Sequence, residues 1–255
     1  MAGNCPFGDF LRSRRTRLSA DEVSSAARQR RRTPGLKRQE VALRAGISAE
    51  WYVKLEQGRA VSPSAETVEA LGRALQLDQV ELAHLRSLAA AGGRQPFRRE
   101  ETPDVLRRIV ASLPEPAYLT GQRFDLLAWN DAAATLFGDF GRLAVEDRNI
   151  LHWMLAEPAS RRVFGETWTE EARRIVALFR AAHDLWPGDP AFADLVDRVR
   201  ASCSAFDGWW SEHGIGAPLS GTKHLRHPLG TVRYEYASFQ ANDDPALKLA
   251  IYTRC

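Results

Sequence analysis

Ser48, Ala49, Glu50 and Lys54 fall on one side of a short segment that opens on a serine and closes at Gly58. If the segment is helical, Glu50 and Lys54 stand four apart on a shared face. A glutamate accepts a hydrogen bond from cytosine N4, and a lysine donates to guanine O6 or N7. The same two charges also suit a plain surface ion pair, which adds little stability. Lys37 and Arg38 precede the segment, and Gln57 and Arg59 flank its end. Such side chains grip phosphates, which fixes orientation without reading sequence. Arg28, Arg30, Arg31 and Arg32 crowd a long polar stretch ahead of Pro34. They would lie along a nucleic-acid backbone or enter a narrow minor groove, or else form a solvated charge run. Replacing Arg30, Arg31 and Arg32 with alanine should flatten the salt dependence of DNA binding by about one unit of slope per lost phosphate contact. An unchanged slope would exclude this stretch from the interface.

No other constellation with chemical meaning stands out. His224 and His227 suggest a metal pair, but no cysteine or carboxylate stands at matching spacing, so no metal is expected. Cys5, Cys203 and Cys255 are odd in number and far apart. They read as free thiols of a reducing cytoplasm. There is no glycine-rich phosphate loop and no Gly-x-Ser-x-Gly turn. The expectation is a protein without catalytic residues or a tightly held cofactor. No apolar run is long enough to span a bilayer, and none follows a basic start at the N-terminus. A cytoplasmic location is expected.

The elements that must hold these side chains read as follows. Residues 1–92 are helix-rich. A first helix covers about 9–18, with Phe10, Leu11 and Leu18 on one face. A second covers 37–45, carries Val41, Ala42 and Ala45 inward, and ends at Gly46. Ser48 caps the third helix, which Ile47, Tyr52 and Leu55 anchor to the core; Trp51 also reads as packing. Ser64 caps a fourth helix with the buried stripe Val68, Leu71, Ala74 and Leu75. Asp78 opens a fifth with Leu82, Leu85, Leu88 and Ala89 inward. Gly92, Gly93 and Pro96, in the small-residue run 89–96, mark a domain boundary, with 93–102 as the linker. A second domain then spans 103–255. It starts with a helix over 103–112 and strands at 117–120 and 124–129. Helices follow over 130–137, 164–183 and 190–202, then a Trp209-Trp210 segment. Strands return at 225–227, 230–241 and 247–253, the middle one alternating Val232, Tyr234 and Tyr236 with polar residues.

The chain of 255 residues carries a formal net charge of +3. Residues 1–60 hold 13 Lys+Arg against 6 Asp+Glu, while the remainder is net acidic. A basic module on a mildly acidic body fits nucleic-acid binding joined to a domain with another task. That second domain holds most of the aromatics, among them Trp129, Trp153, Tyr234 and Tyr236. Each on its own reads as core. Together, strands under helices can enclose an apolar cavity, with Arg226 or His227 placed to fix a polar head.

The run Lys37-Arg38-Gln39-Glu40-Val41-Ala42-Leu43-Arg44-Ala45-Gly46-Ile47-Ser48, closed by Leu55-Glu56-Gln57-Gly58-Arg59, resembles the phage-repressor-like (XRE) helix-turn-helix family. Arg31-Arg32-Thr33-Pro34-Gly35-Leu36 ahead of it resembles one branch, the MmyB-like regulators. Further along, Leu126-Leu127-Ala128-Trp129-Asn130, Gly138-Asp139-Phe140, Ser220-Gly221-Thr222-Lys223 and Arg226-His227-Pro228 resemble the second domain of that branch, in the same order. Trp51 stands where the branch often has tyrosine, so no role carries over to it. The resemblance implies a five-helix DNA-binding domain followed by a PAS-like α+β domain with an antiparallel sheet. It also implies a homodimer on a double-stranded operator, and a small, largely apolar, fatty-acid-like ligand lined by Trp129, Trp153, Tyr234 and Tyr236. Two alternatives stay open: a second domain that serves only dimerisation or a protein partner, and a DNA-tethered enzyme.

Overall fold

The computed structural model describes residues 5–18, 35–59, 63–91, 96–216, 220–227 and 230–255. Arg28, Arg30, Arg31 and Arg32 lie outside the described residues. The chain forms two compact units: Met1–Gln95 with Asp184–Gly188, and Pro96–His183 with Asp189–Cys255. Among the described residues no helix is long and apolar enough to cross a membrane, and no three His, Cys, Asp or Glu side chains are grouped to hold a metal ion.

The first unit is helical: α1 (Pro6–Arg17), α2 (Arg38–Ala45), α3 (Ala49–Glu56), α4 (Ala65–Ala74) and α5 (Gln79–Ala90). α1 begins three residues ahead of the position read from the sequence, because Pro6 at its first turn presets φ and lacks a donor that would go unpaired there anyway. The starts of α3, α4 and α5 are capped by side chains. Ser48 Oγ accepts from Trp51 N at 3.1 Å, Ser64 Oγ from Thr67 N at 3.2 Å, and Asp78 Oδ1 from Glu81 N at 2.8 Å. Phe10, Leu11, Val41, Ala42, Tyr52, Leu55, Val68, Leu71 and Leu85 close the core. Charges are buried with them. Glu81 meets Arg14 at 3.0 Å and Arg17 at 2.6 Å. Part of the N-terminal basic excess therefore neutralises internal carboxylates and is not spent on a partner.

The second unit contains α6 (Asp104–Ser112), β1 (Ala117–Thr120), β2 (Leu126–Trp129), α7 (Asp131–Phe137), α8 (Ile150–Ala156), α9 (Pro158–Phe164), α10 (Trp168–His183), α11 (Pro190–Ser202), α12 (Phe206–Ser211), β3 (Gly221–His227), β4 (Gly230–Gln240) and β5 (Lys248–Arg254). The five strands form one antiparallel sheet in the order β2-β1-β5-β4-β3. Helices intervene between β2 and β3. This is the α and α+β architecture expected of the two domains. One sheet face packs Leu119, Ala128 and Leu247 against Val110 of α6. The opposite face carries Tyr118, Tyr236 and Tyr252, because neighbouring residues of a strand point to opposite sides. Residues 97–101 belong to this unit. The Phe97 ring meets Phe192 at 5.2 Å, Arg99 reaches the Leu126 carbonyl at 3.3 Å, and Glu100 accepts from Gln122 N at 3.0 Å.

The elements differ from the sequence reading where local patterning is weak. The helix read as continuous over 164–183 is broken at Gly165, whose φ is +54°. Its missing side chain leaves room for Arg226, whose Nε would lie 2.8 Å from a Cβ there. α8 went unread because its first six residues are all buried. A run buried all round has no helical period to detect. β2 starts at Leu126, not 124: Phe124 takes φ +68°, and Asp125 bridges to Asn149 instead. β3 begins four residues earlier than expected. It is an edge strand with four exposed positions, two half-buried ones and a single buried residue, Leu225, so it carries no apolar stripe.

Candidate functional site

The nucleic-acid face is built from α2, its turn and α3. Gly46, at φ +66°, ends α2, and the Ile47 N–H bonds back to the Ala42 carbonyl at 3.0 Å. α3 is then seated by buried Tyr52 and Leu55. Its far end lies against α1, since a Cβ on Gly8 would stand 2.3 Å from the Glu56 carbonyl oxygen. The side chain of Glu56 is the main tether. Its carboxylate is 0% exposed and takes Arg15 Nε at 2.5 Å and Arg38 Nε at 2.6 Å. Arg15 also donates to the Leu36 carbonyl at 2.9 Å. One carboxylate thus joins α1, α2 and α3, and Arg15 ties in the segment before α2. Burial alone would raise its pKa, but the hydrogen bonds from Arg15 and Arg38 outweigh that and hold it below the usual carboxylate range.

Opposite this anchored side, Lys37, Arg38, Gln39, Ala49, Glu50 and Val53 line an open groove of about 450 Å³. The sequence-predicted residues divide among three positions. Ala49 and Glu50 line the groove beside Lys37 and Arg38. Lys54 is on the exposed flank, paired with Glu50 at 2.9 Å. Ser48 spends its hydroxyl on the cap, and Gln57 and Arg59 stand exposed past the end of α3. Arg38 Nε is held by Glu56 while its side chain stays 42% exposed at the groove rim. Trp51 is half-buried. Two groove residues escaped the sequence reading. Gln39 stands within the quoted motif, and Val53 falls four residues after Ala49, a spacing that would have exposed the shared face.

One group of aromatics in the second unit forms a continuous chain of ring contacts. Trp129 meets Phe140 at 5.6 Å, Phe140 meets Trp153 at 5.9 Å, and Trp153 meets Phe137 at 5.6 Å. Phe137 meets Tyr252 at 5.0 Å, and Tyr252 meets Tyr236 at 5.0 Å. Tyr118 closes the group, with its hydroxyl 3.3 Å from that of Tyr252. Burial raises the pKa of both phenols. Trp129, Trp153 and Tyr236 are thus brought together. Tyr234 is buried two residues along β4, opposite Lys223 of β3. Arg226 is exposed over Gly165, and His227 is half-buried at the end of its strand. Neither is part of the ring cluster. Phe140, Tyr118 and Tyr252 were missed, although Phe140 stands in the Gly138-Asp139-Phe140 motif.

At the Tyr236 end the core becomes charged. The Glu171 carboxylate of α10 accepts from Lys223 Nζ and from Arg174 Nε, the latter at 3.0 Å. Lys223 Nζ lies 5.6 Å from the centre of the Tyr236 ring. Burial lowers the Lys223 pKa, and the positive charge of Arg174 adds to the effect. Lys223 belongs to the quoted Ser220–Lys223 motif, which was a usable signal. Glu171 and Arg174 sit in an ordinary amphipathic helix, where nothing distinguished them from solvated charges.

Residues 102–254 match the family described as MmyB-like transcription regulator ligand binding domain, and residues 6–85 match a helix-turn-helix domain. No curated protein matches the chain. The two matches fall on the two halves whose geometry is given above, a groove-bearing helix pair and an aromatic α+β core. With well over half its length inside the first match, the chain belongs to the MmyB-like transcription regulators: a DNA-binding helix-turn-helix domain followed by a ligand-sensing domain.

Proposed function

We propose that a homodimer of this protein reads a two-fold symmetric DNA site through α3, and that a small, largely apolar, fatty-acid-like molecule in the second unit alters its grip on that site. The observation that carries the sensor half is the match of residues 102–254 to a ligand-binding domain family, with the aromatic group from Trp129 to Tyr236 as its candidate walls. Support for the reader half is the groove beside α3, with a cationic rim at Lys37 and Arg38 and an apolar floor at Ala49 and Val53. Methyl groups in such a floor suit the thymine methyl, and Lys54 suits a guanine edge. Two-fold repressor-type dimers place their reading helices in successive major grooves, so half-sites are expected about one helical turn, or multiples, apart.

A ligand changes DNA affinity only through a difference in its affinity for two states of the protein. The test is therefore a mobility-shift titration before and after removing whatever co-purifies, with native mass spectrometry to weigh it. The expected outcome is a bound apolar molecule whose removal shifts operator affinity. Unchanged affinity with an empty second unit would count against the sensor. A second reading, assembly or protein-partner binding, is favoured by exposed Val105 and Ile109 on α6 and exposed Phe239 on β4. Under that reading stripping the protein leaves operator affinity unchanged, while replacing Ile109 and Phe239 with serine changes its oligomeric state or partner.

A further inference from the structure

Residues 96–101 follow directly on the first unit in sequence, but they lie along the second one as a strap. Only residues 92–95 stand between Ala91, at the end of α5, and Pro96. The Phe97 N–H donates to Asp189 Oδ2 at 2.7 Å, and the Phe97 ring faces the Arg123 guanidinium at 5.5 Å. Arg99 donates to the Val145 and Leu126 carbonyls, each at 3.3 Å. Glu100 Oε1 accepts from Gln122 N at 3.0 Å. Gln122, Arg123 and Leu126 all belong to the β1–β2 hairpin, so the strap rides mainly on that hairpin.

Glu100 is the weak point of this seat. Its Oε2 is buried and has no hydrogen-bond partner among the described residues. Burying a charge without a partner is costly. Burial pushes the Glu100 pKa above its ordinary value, and Asp125 and Asp244 add to this against the Gln122 N–H. Gly121 makes the seat possible. Its φ lies outside the left-handed range that favours glycine, so the turn itself would accept a side chain. A Cβ there would nevertheless collide with Glu100, whose carboxylate supplies the three nearest atoms. The two Arg99 contacts are long for hydrogen bonds. A strap held by a half-satisfied carboxylate and long hydrogen bonds opens at small cost.

We propose that residues 96–101 are a releasable strap, latched by Glu100 in the space left by Gly121, which sets the length of chain between the DNA-reading unit and the sensing unit and so the half-site spacing the protein accepts. While the strap is latched, residues 92–95 alone span from α5 to the second unit. Released as far as α6, the span gains residues 96–103, on the order of 25 Å of extended chain. A short span holds two reading units to one spacing, and a longer one lets them accept several. The proposal rests on the reading of the protein as a homodimer on paired half-sites, and goes beyond it by naming what fixes their separation.

The experiment uses full-length protein and two readouts. Limited trypsin digestion, resolved by mass spectrometry, follows cleavage after Arg98, which requires the strap to lift into the protease cleft. Gly121→Ala evicts the Glu100 carboxylate from the hairpin side, and Arg99→Ala removes two anchors from the strap side. Each should speed this cleavage about tenfold or more, the range for losing a hydrogen bond to or from a charged group, while thermal unfolding stays near wild type. Glu100→Gln keeps the Gln122 contact without the charge and should be cut no faster than wild type. Selection of random duplexes by the same proteins reads the spacing. Wild type should enrich two related halves at one separation, and both alanine variants the same halves at several. Unchanged cleavage in both alanine variants overturns the latch. Faster cleavage with a single unchanged separation overturns its role in spacing and leaves the dimeric reading intact. A wild type that enriches no paired halves removes the dimeric reading, and the role in spacing with it.

Discussion

Replacing Glu56 with alanine should cost the first unit about 3–5 kcal/mol, the range for removing one partner of a buried ion pair. Arg15, whose side chain is 13% exposed, would be left without its carboxylate, and Arg38 would lose its hold on α3. Operator binding should fall with stability, because the seat of α3 and the position of α2 depend on the same carboxylate. Glu56→Gln keeps an acceptor and loses the charge, so its cost should be smaller. The difference between wild type and Glu56→Gln also has a defined pH dependence. The folded-state pKa of Glu56 lies below its unfolded value, near 4.3 for a free glutamate. Its charge therefore stabilises fully above about pH 5, and this contribution disappears as pH falls through the folded pKa. Hydrogen exchange of α1–α3 amides at pH 7 and at lower pH would follow the loss in the first unit alone. A neutral Glu56→Ala would contradict the tether.

Asn130→Ala should be comparably severe in the second unit. The side-chain oxygen of Asn130 accepts from Ala117 N at 3.1 Å and from Ala133 N at 2.9 Å. Its amide nitrogen donates to the Leu113 carbonyl at 2.9 Å and the Glu115 carbonyl at 2.8 Å. All four hydrogen-bonding positions of the amide are used, and the residue is 6% exposed. Alanine would remove the cap of α7, worth about 1 kcal/mol, and orphan buried backbone groups at about 1–3 kcal/mol each. A net loss of about 3–5 kcal/mol is expected once relaxation and water are allowed for. Asn130→Asp tests the geometry. It keeps the acceptor but sets an acceptor-only, charged oxygen against the Leu113 and Glu115 carbonyls, so it should be no more stable than alanine in a thermal unfolding series at about pH 7. If alanine unfolds with wild type, the four bonds are not what joins β1 to α7.

Sequence patterning located most helices of the first unit and the strand pairs of the second because these elements carry a clear period or a clear cap. Ser48, Ser64 and Asp78 each cap the helix expected of them. The pattern failed where burial is complete or where the backbone turns for a distant reason. α8 has no polar face to reveal it, and Gly165 breaks a helix to make way for an arginine more than sixty residues on. The site residues divide in the same manner. Trp129, Trp153 and Tyr236 were legible as aromatics in a domain rich in them. The arginines were not legible in role: nothing local separates Arg15, which clamps a buried carboxylate, from Arg12, which pairs with Asp9 at the surface. Those assignments depend on contacts across the fold, which sequence spacing does not encode.

Base reading by α3 is proposed to depend on its exposed flank and not only on its charge. Selection of random duplexes by the full-length protein, repeated with Lys54→Ala, tests this most directly. The prediction is an enriched motif with two related halves in wild type, and a variant that loses preference at one position of each half by roughly ten- to a hundredfold while the rest of the motif survives. An equal loss across all sequences would make Lys54 a phosphate contact, and no enriched motif in wild type would contradict sequence-specific reading by α3.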